Sequence, residues 1–157
     1  MKSARLLFVL LTAGILATGC TKEYVTREYN TYVQQGLDMT LIDFNVKQEN
    51  WAVRDVENGN ANEGYFEAVL SVPEITQKVV DQGIVMVYRR YEDNVWTPLP
   101  AMRTEKTADG LYYTTYVDFE WGLNAEKKGY VSIYVTASDL YAGQNPGDMS
   151  FRVAIQL

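Results

Sequence analysis

The chain has 157 residues, with 14 basic side chains against 20 acidic ones, no histidine and a formal net charge of −6. That balance argues against nucleic acid, which requires a basic stripe. The missing histidine removes Ser-His-Asp and Cys-His catalysis in their usual forms, together with histidine-ligated zinc.

The N-terminus reads as an export signal. Lys2 and Arg5 form a positive start, and Leu6 to Leu16 is an apolar run. The run is too short to span a bilayer, which takes about 20 apolar residues. Ala17, Thr18 and Gly19 are small, and Cys20, the one cysteine of the chain, follows them. A single cysteine forms no internal disulfide. The pattern resembles a bacterial lipobox, with Ala17 standing where leucine is usual and Leu16 one position earlier. The resemblance implies diacylation of the Cys20 sulfur, cleavage before it and acylation of the new N-terminus. Each buried methylene of such an anchor contributes roughly 0.8 kcal/mol. The alternative, an ordinary secretory signal cut near Ala17 or Gly19, would leave a reactive thiol outside the cell. Thr21, rather than aspartate, follows the cysteine. In lipoproteins this implies an outer-membrane location, on the periplasmic or cell-surface face. With residues 1–19 removed as signal peptide, Lys2 and Arg5 are lost. The mature chain then has 138 residues, with 12 basic side chains against 20 acidic and a net charge of −8. That size suits one domain with a single core. No nucleotide-cradling G-x-x-x-x-G-K-[ST] or G-x-G-x-x-G segment occurs, and no cofactor is expected.

Residues 20–38 are expected to form a lipidated N-terminus and polar tether, since "TKEYVTREYNTYVQQGLD" offers little apolar burial. Residues 39–157 then read as strands separated by turn signals. "TLIDFNV" places Ile42, Phe44 and Val46 on one face, and "YFEAVLSV" places Phe66, Ala68, Leu70 and Val72 inward. "PEITQKVVDQG" predicts a short crossover helix, with Val79 and Val80 turned inward and Gly83 as its stop. "GIVMVYRRY" is nearly continuous and suits a central strand, while Pro98 and Pro100 confine "WTPLPAMRT" to an edge or bulged strand. "LYYTTYVDFEW" sets Leu111, Tyr113, Thr115, Val117, Phe119 and Trp121 on one face. "YVSIYVTA" sets Val131, Ile133 and Val135 inward, and "SFRVAIQL" does the same with Phe151, Val153, Ile155 and Leu157. About seven strands at this spacing predict an all-β fold: an antiparallel β-sandwich with Greek-key connections, immunoglobulin-like or jelly-roll-like, or a closed barrel as the alternative.

Five motifs in order carry a resemblance: Asn50-Trp51, "VPEIT" (Val72 to Thr76), "DQGIVMVY" (Asp81 to Tyr88), "WTPLP" (Trp96 to Pro100) and the terminal "FRVAI" (Phe151 to Ile155). Together they are similar to small bacterial lipoproteins of unknown function, found mainly in gut anaerobes, whose C-terminal β-sandwich domain ends in a Phe-Arg-Val strand. The likeness covers Thr40 to Leu157. It implies a sandwich fold and an envelope location, and it carries over no catalytic residue.

Candidate sites follow from the strand pattern. Opposite the inward sets, Tyr112 and Tyr116 on one strand and Tyr130 and Tyr134 on another share an outer face if the two strands pair. Such an aromatic platform stacks sugars or grips a protein with little entropy loss. The competing reading is that cross-strand tyrosine and threonine pairs stabilise the sheet. Trp51, Trp96 and Trp121 are expected in the core or at its rim. Arg152 points outward in an apolar strand and invites a carboxylate partner, and at least one of Arg89 and Arg90 faces out. The oxygen-rich loops from Asp55 to Glu63 and from Asp139 to Asp148 lack calcium-loop spacing and read as turns, so no metal is expected. The expected function is a non-enzymatic, lipid-anchored binding or structural protein whose partners are the membrane and a glycan or protein ligand. An assembly subunit donating or accepting an edge strand, for example the C-terminal one, ranks second. A hydrolase using two facing carboxylates ranks third.

Overall fold

The computed structural model describes residues 25–34, 37–54, 64–106, 110–138 and 145–157. Cys20, the loop from Asp55 to Glu63 and Asp139 lie outside the described residues. The described residues form two antiparallel sheets that face each other across one apolar core, so the expected all-β sandwich is the observed fold. Sheet 1 contains β1 (Val25–Gln34), β2 (Leu37–Val46), β10 (Met149–Gln156), β5 (Ile84–Glu92) and β6 (Val95–Pro98), in that spatial order. Sheet 2 runs β3 (Ala52–Arg54), β4 (Tyr65–Ser71), β9 (Gly129–Ala137), β8 (Tyr112–Leu123) and β7 (Ala101–Lys106).

Period-two alternation decides which residues meet between the sheets. In sheet 1, Ile42, Phe44 and Val46 of β2 pair in register with Val153, Phe151 and Met149 of β10. All six are buried. In sheet 2, Phe66, Ala68 and Leu70 pair with Val135, Ile133 and Val131, again all buried. Fully burying a side chain such as Phe151 contributes roughly 1.5–3 kcal/mol relative to leaving it exposed. Leu111 and Leu157, predicted inward, lie one residue outside β8 and β10 and are exposed.

The chain passes from sheet 2 to sheet 1 through α1 (Gln77–Gln82), as the crossover reading requires. Thr76 caps it, its hydroxyl accepting from the Val79 amide at 3.5 Å, and the Gly83 amide donates to the Val79 carbonyl at 2.8 Å. Val79 is buried, and Ile75 in the preceding turn takes the inward place predicted for Val80, which is exposed. Adjacent residues of an α-helix point about 100° apart, so with Val79 turned inward Val80 faces solvent.

Among the described residues ten strands stand where about seven were expected. Val25–Gln34, inside the stretch read as a tether, pairs with β2 along its whole length. Ala52–Arg54 adds a three-residue strand. The segment with Pro98 and Pro100 divides into β6 and β7, one at the edge of each sheet, with a cis peptide between Leu99 and Pro100. The edge position is thus as predicted, since proline cannot donate to a ladder. β5 is paired on both sides, yet its apolar run does not reflect two buried faces, because Ile84 and Met86 point outward into solvent. The C-terminal strand β10 is no free edge: it is hydrogen-bonded to β2 and to β5. Among the described residues no helix is long and apolar enough to cross a membrane.

Candidate functional site

The pairing of β8 with β9 fixes the outward face of sheet 2. Tyr116 stands opposite Thr136, Asp118 opposite Tyr134 and Gly122 opposite Tyr130. Tyr112 lies four residues before Tyr116 on the same face, opposite Lys106 of β7. The four predicted tyrosines therefore share one face. They form a stripe along the strands, in the order Tyr112, Tyr116, Tyr134, Tyr130. It spans ten residues of β8 register, roughly 33 Å at the usual strand rise.

The stripe is not uniform. Tyr112 is 71% exposed and Tyr116 42% exposed, whereas Tyr130 and Tyr134 are half-buried. Tyr134 meets Tyr65 edge-on, with ring centroids 5.6 Å apart. Burial, and then a hydrogen bond to Glu120, push its phenol well above the usual tyrosine range, so it stays neutral. Ser132, also on this face, is buried. This end is built as a packed cross-strand cluster, of the kind that stabilises a sheet. The other end is open. Met102 of β7, directly opposite Tyr116, is 71% exposed. The ammonium of Lys106 lies 5.4 Å from the Tyr112 ring centroid. The Tyr116 hydroxyl donates to Asp118 at 3.4 Å, and partial burial together with that carboxylate raises its pKa. Tyr112, Tyr116 and Met102 thus form an exposed aromatic and thioether patch, whereas the exposed Val69 of β4 stands opposite Ser132, at the packed end. Sequence reading missed Met102 and Val69. The "AMRTEK" alternation carried the signal for Met102, but only the β7–β8 register sets it beside Tyr116.

The acidic side chains of this face are committed locally. Glu67 holds Arg54 at 2.7 Å, and Asp118 also accepts from the Phe119 amide at 2.7 Å. They sit on a sheet surface rather than facing each other in a cleft. A cleft does open between α1 and the β8–β9 turn, with a volume of about 490 Å³. Ser71, Pro73, Ile75, Leu123 and Lys128 line it, and no carboxylate does. Among the described residues no group of three or more His, Cys, Asp or Glu side chains is placed to hold a metal.

The outer face of sheet 1 has a different chemistry. Arg152 donates two hydrogen bonds to the Asp43 carboxylate, at 2.6 and 2.7 Å, across the β10–β2 pair. This is the carboxylate partner expected for it. Trp96 lies over the same guanidinium, 4.1 Å from ring centroid to Cζ, and over Arg90 at 5.9 Å. Trp96 is therefore not a core residue, which corrects the expectation. Edge strand β6 aims it outward, where it shields a half-buried ion pair. Trp51 does close one end of the core. It packs edge-on against Phe151 at 6.3 Å and donates to the Gly147 carbonyl at 2.8 Å. Trp121 packs partly buried against the core.

Comparisons with protein families, with curated proteins and with solved structures find no match.

Proposed function

We propose that the protein is a non-enzymatic cell-envelope lipoprotein, anchored through Cys20, whose sandwich binds an extended ligand along the outward face of sheet 2. One observation carries the binding reading: Tyr112, Tyr116 and Met102 lie together and exposed on the outward face of sheet 2. Contiguous exposed apolar surface of this kind marks interaction sites. A stripe that runs along the strands suits a chain rather than a compact small molecule, and tyrosine stacks on the apolar faces of sugar rings. A glycan chain is therefore the first candidate, and a protein segment the second. The resemblance to envelope lipoproteins of gut anaerobes supports the location, and the mature charge of −8 leaves the lipid as the means of holding the membrane.

Affinity electrophoresis through gels containing neutral polysaccharides tests this reading. At least one polysaccharide is expected to retard the protein. The double variant Tyr112→Ala/Tyr116→Ala should lose roughly tenfold in affinity, the sum of two stacking contacts. Equal retardation of both proteins would remove the tyrosine face from the proposal.

A second reading rests on β1. Among the described residues it is paired with β2 on one side and ends the sheet on the other. A ten-residue edge of this kind can accept a strand from a partner. Cross-linking in cells from a photoreactive residue at Thr31 would yield one discrete adduct if that edge is occupied, and none if it is not.

A further inference from the structure

The two sheets bring three donors together at the mouth of the sandwich between edge strands β6 and β7. Arg89 and Tyr91 come from β5, and Arg103 from β7, each on the side of its strand that faces the opposite sheet. The Arg103 guanidinium carbon lies 3.8 Å from the Tyr91 ring centroid, and that of Arg89 lies 4.1 Å from it. Arg89 also donates from Nη1 to the Tyr91 hydroxyl at 3.2 Å. Two like charges thus converge on one ring in a strongly acidic protein, and neither has an ion pair among the described residues. The described carboxylate nearest along β7, Glu105, accepts instead from the Tyr113 hydroxyl at 2.8 Å.

The hydrogen bonding of the cluster is incomplete. Arg89 Nε is buried and has no partner among the described residues. A buried donor left unmade is costly, and one attached to a charged group more so. The Tyr91 oxygen already accepts from Arg89, so its own proton is available to donate. Arg103 is exposed and presents a fork of donors with no described acceptor. An incoming anion would supply the oxygen atoms that all three groups lack.

We propose that Arg89, Tyr91 and Arg103 form a binding site for an oxyanion, a carboxylate, sulfate or phosphate group carried by a small ligand. The site is separate from the tyrosine face and stands whether or not that face binds. Guanidinium forks match oxyanions with paired hydrogen bonds. The Tyr91 ring, already covered by two cations, is not itself free to stack on a ligand. Binding would turn Arg89 onto the anion and satisfy the donor left unbonded in the free protein.

NMR of the full mature chain, with the arginine Nε–H signals assigned, tests the site directly. Sodium sulfate is titrated at constant ionic strength against sodium chloride, and sodium acetate is titrated in a parallel series. Saturable shifts of the Arg89 and Arg103 signals with sulfate or acetate, absent with chloride, are expected. Stronger binding of sulfate would point to a tetrahedral anion, and stronger binding of acetate to a carboxylate. Arg103→Gln, which removes the charge at an exposed position, should weaken binding roughly tenfold or more. Lys106→Gln, on the outward side of the same strand, should leave it unchanged. A shift linear in salt, or affinities equal in Arg103→Gln and the parent, would overturn the proposal. The cation cluster would then serve only to close the mouth of the sandwich.

Discussion

At the scale of single residues, close approach constrains this molecule most sharply at Gly129, the first residue of β9. Its carbonyl accepts from the Val72 amide at 2.9 Å. A β-carbon built there would collide with the Val72 and Ile75 carbonyl oxygens and lie 2.8 Å from the Ile75 β-carbon. Two of these obstacles are backbone, and Ile75 is itself buried, so none can swing aside. Gly129→Ala is expected to cost about 1–3 kcal/mol, the range for forcing volume into a packed interior. Gly147→Ala, with open space around its would-be β-carbon, is strained by its positive φ of 77° instead. The cost there should be nearer 1 kcal/mol, the preference of that backbone region for glycine. Urea denaturation of the two variants checks the order. If Gly129→Ala proved the milder, the packing of the α1 approach against β9 would be wrong.

At the scale of elements, the alternating strands were legible and the partnerships between them were not. Ile42, Phe44, Val131 and Ile133 declare their inward face by period two alone. Asp43 and Arg152, 109 residues apart, need the β2–β10 register to meet, and nothing local in either strand encodes that register. β1 was not legible because its alternation is weak and polar, and its full-length ladder to β2 is not encoded locally. Trp96 misled because tryptophan is usually buried by apolar neighbours, whereas here the neighbours are guanidiniums. The exposed end of the tyrosine stripe was legible as a face, but its distinction from the packed end depends on Tyr65 and Ser132.

The loop before β10 offers a prediction at this same scale. Asp148 accepts from the Lys47 ammonium at 2.7 Å and from the Gln48 amide at 2.9 Å, joining the end of β2 to the start of β10. These bonds, the Lys47 one first, hold its carboxyl below the ordinary value of 3.8. A lowered folded pKa means that the bridge contributes above the unfolded value and is lost as pH falls through the folded one. Thermal melts of the parent and Asp148→Asn should therefore differ most near neutral pH and converge below pH 3.8. Both partners are exposed, so the difference will be small and sensitive to salt. Parallel curves across the acid range would mean that the bridge has no role in joining β10 to the sheet.

At the scale of the whole molecule, charge and anchor have to be considered together. With the proposed signal removed, the chain carries a net −8 and is repelled by an anionic bilayer surface, and its tyrosine stripe lies on a sheet face, not in an amphipathic helix. If Cys20 is acylated as proposed, attachment should depend on its acyl chains in an all-or-none way. Intact-mass spectrometry of membrane-extracted protein is expected to show a chain beginning at Cys20 and carrying acyl mass. In Cys20→Ala that mass should vanish, and the protein should leave the membrane fraction even at low ionic strength, where any electrostatic attachment would be strongest. The sandwich should fold alike in both, because its core is assembled from Ile42 onward. A Cys20→Ala protein that stays with the membrane would require a protein partner holding the domain there, and would shift attention from the stripe to the free edge of β1. An unmodified parent chain cut upstream of Cys20 would instead leave a secreted sandwich with a free thiol, and the tyrosine face would have to find its ligand away from the envelope.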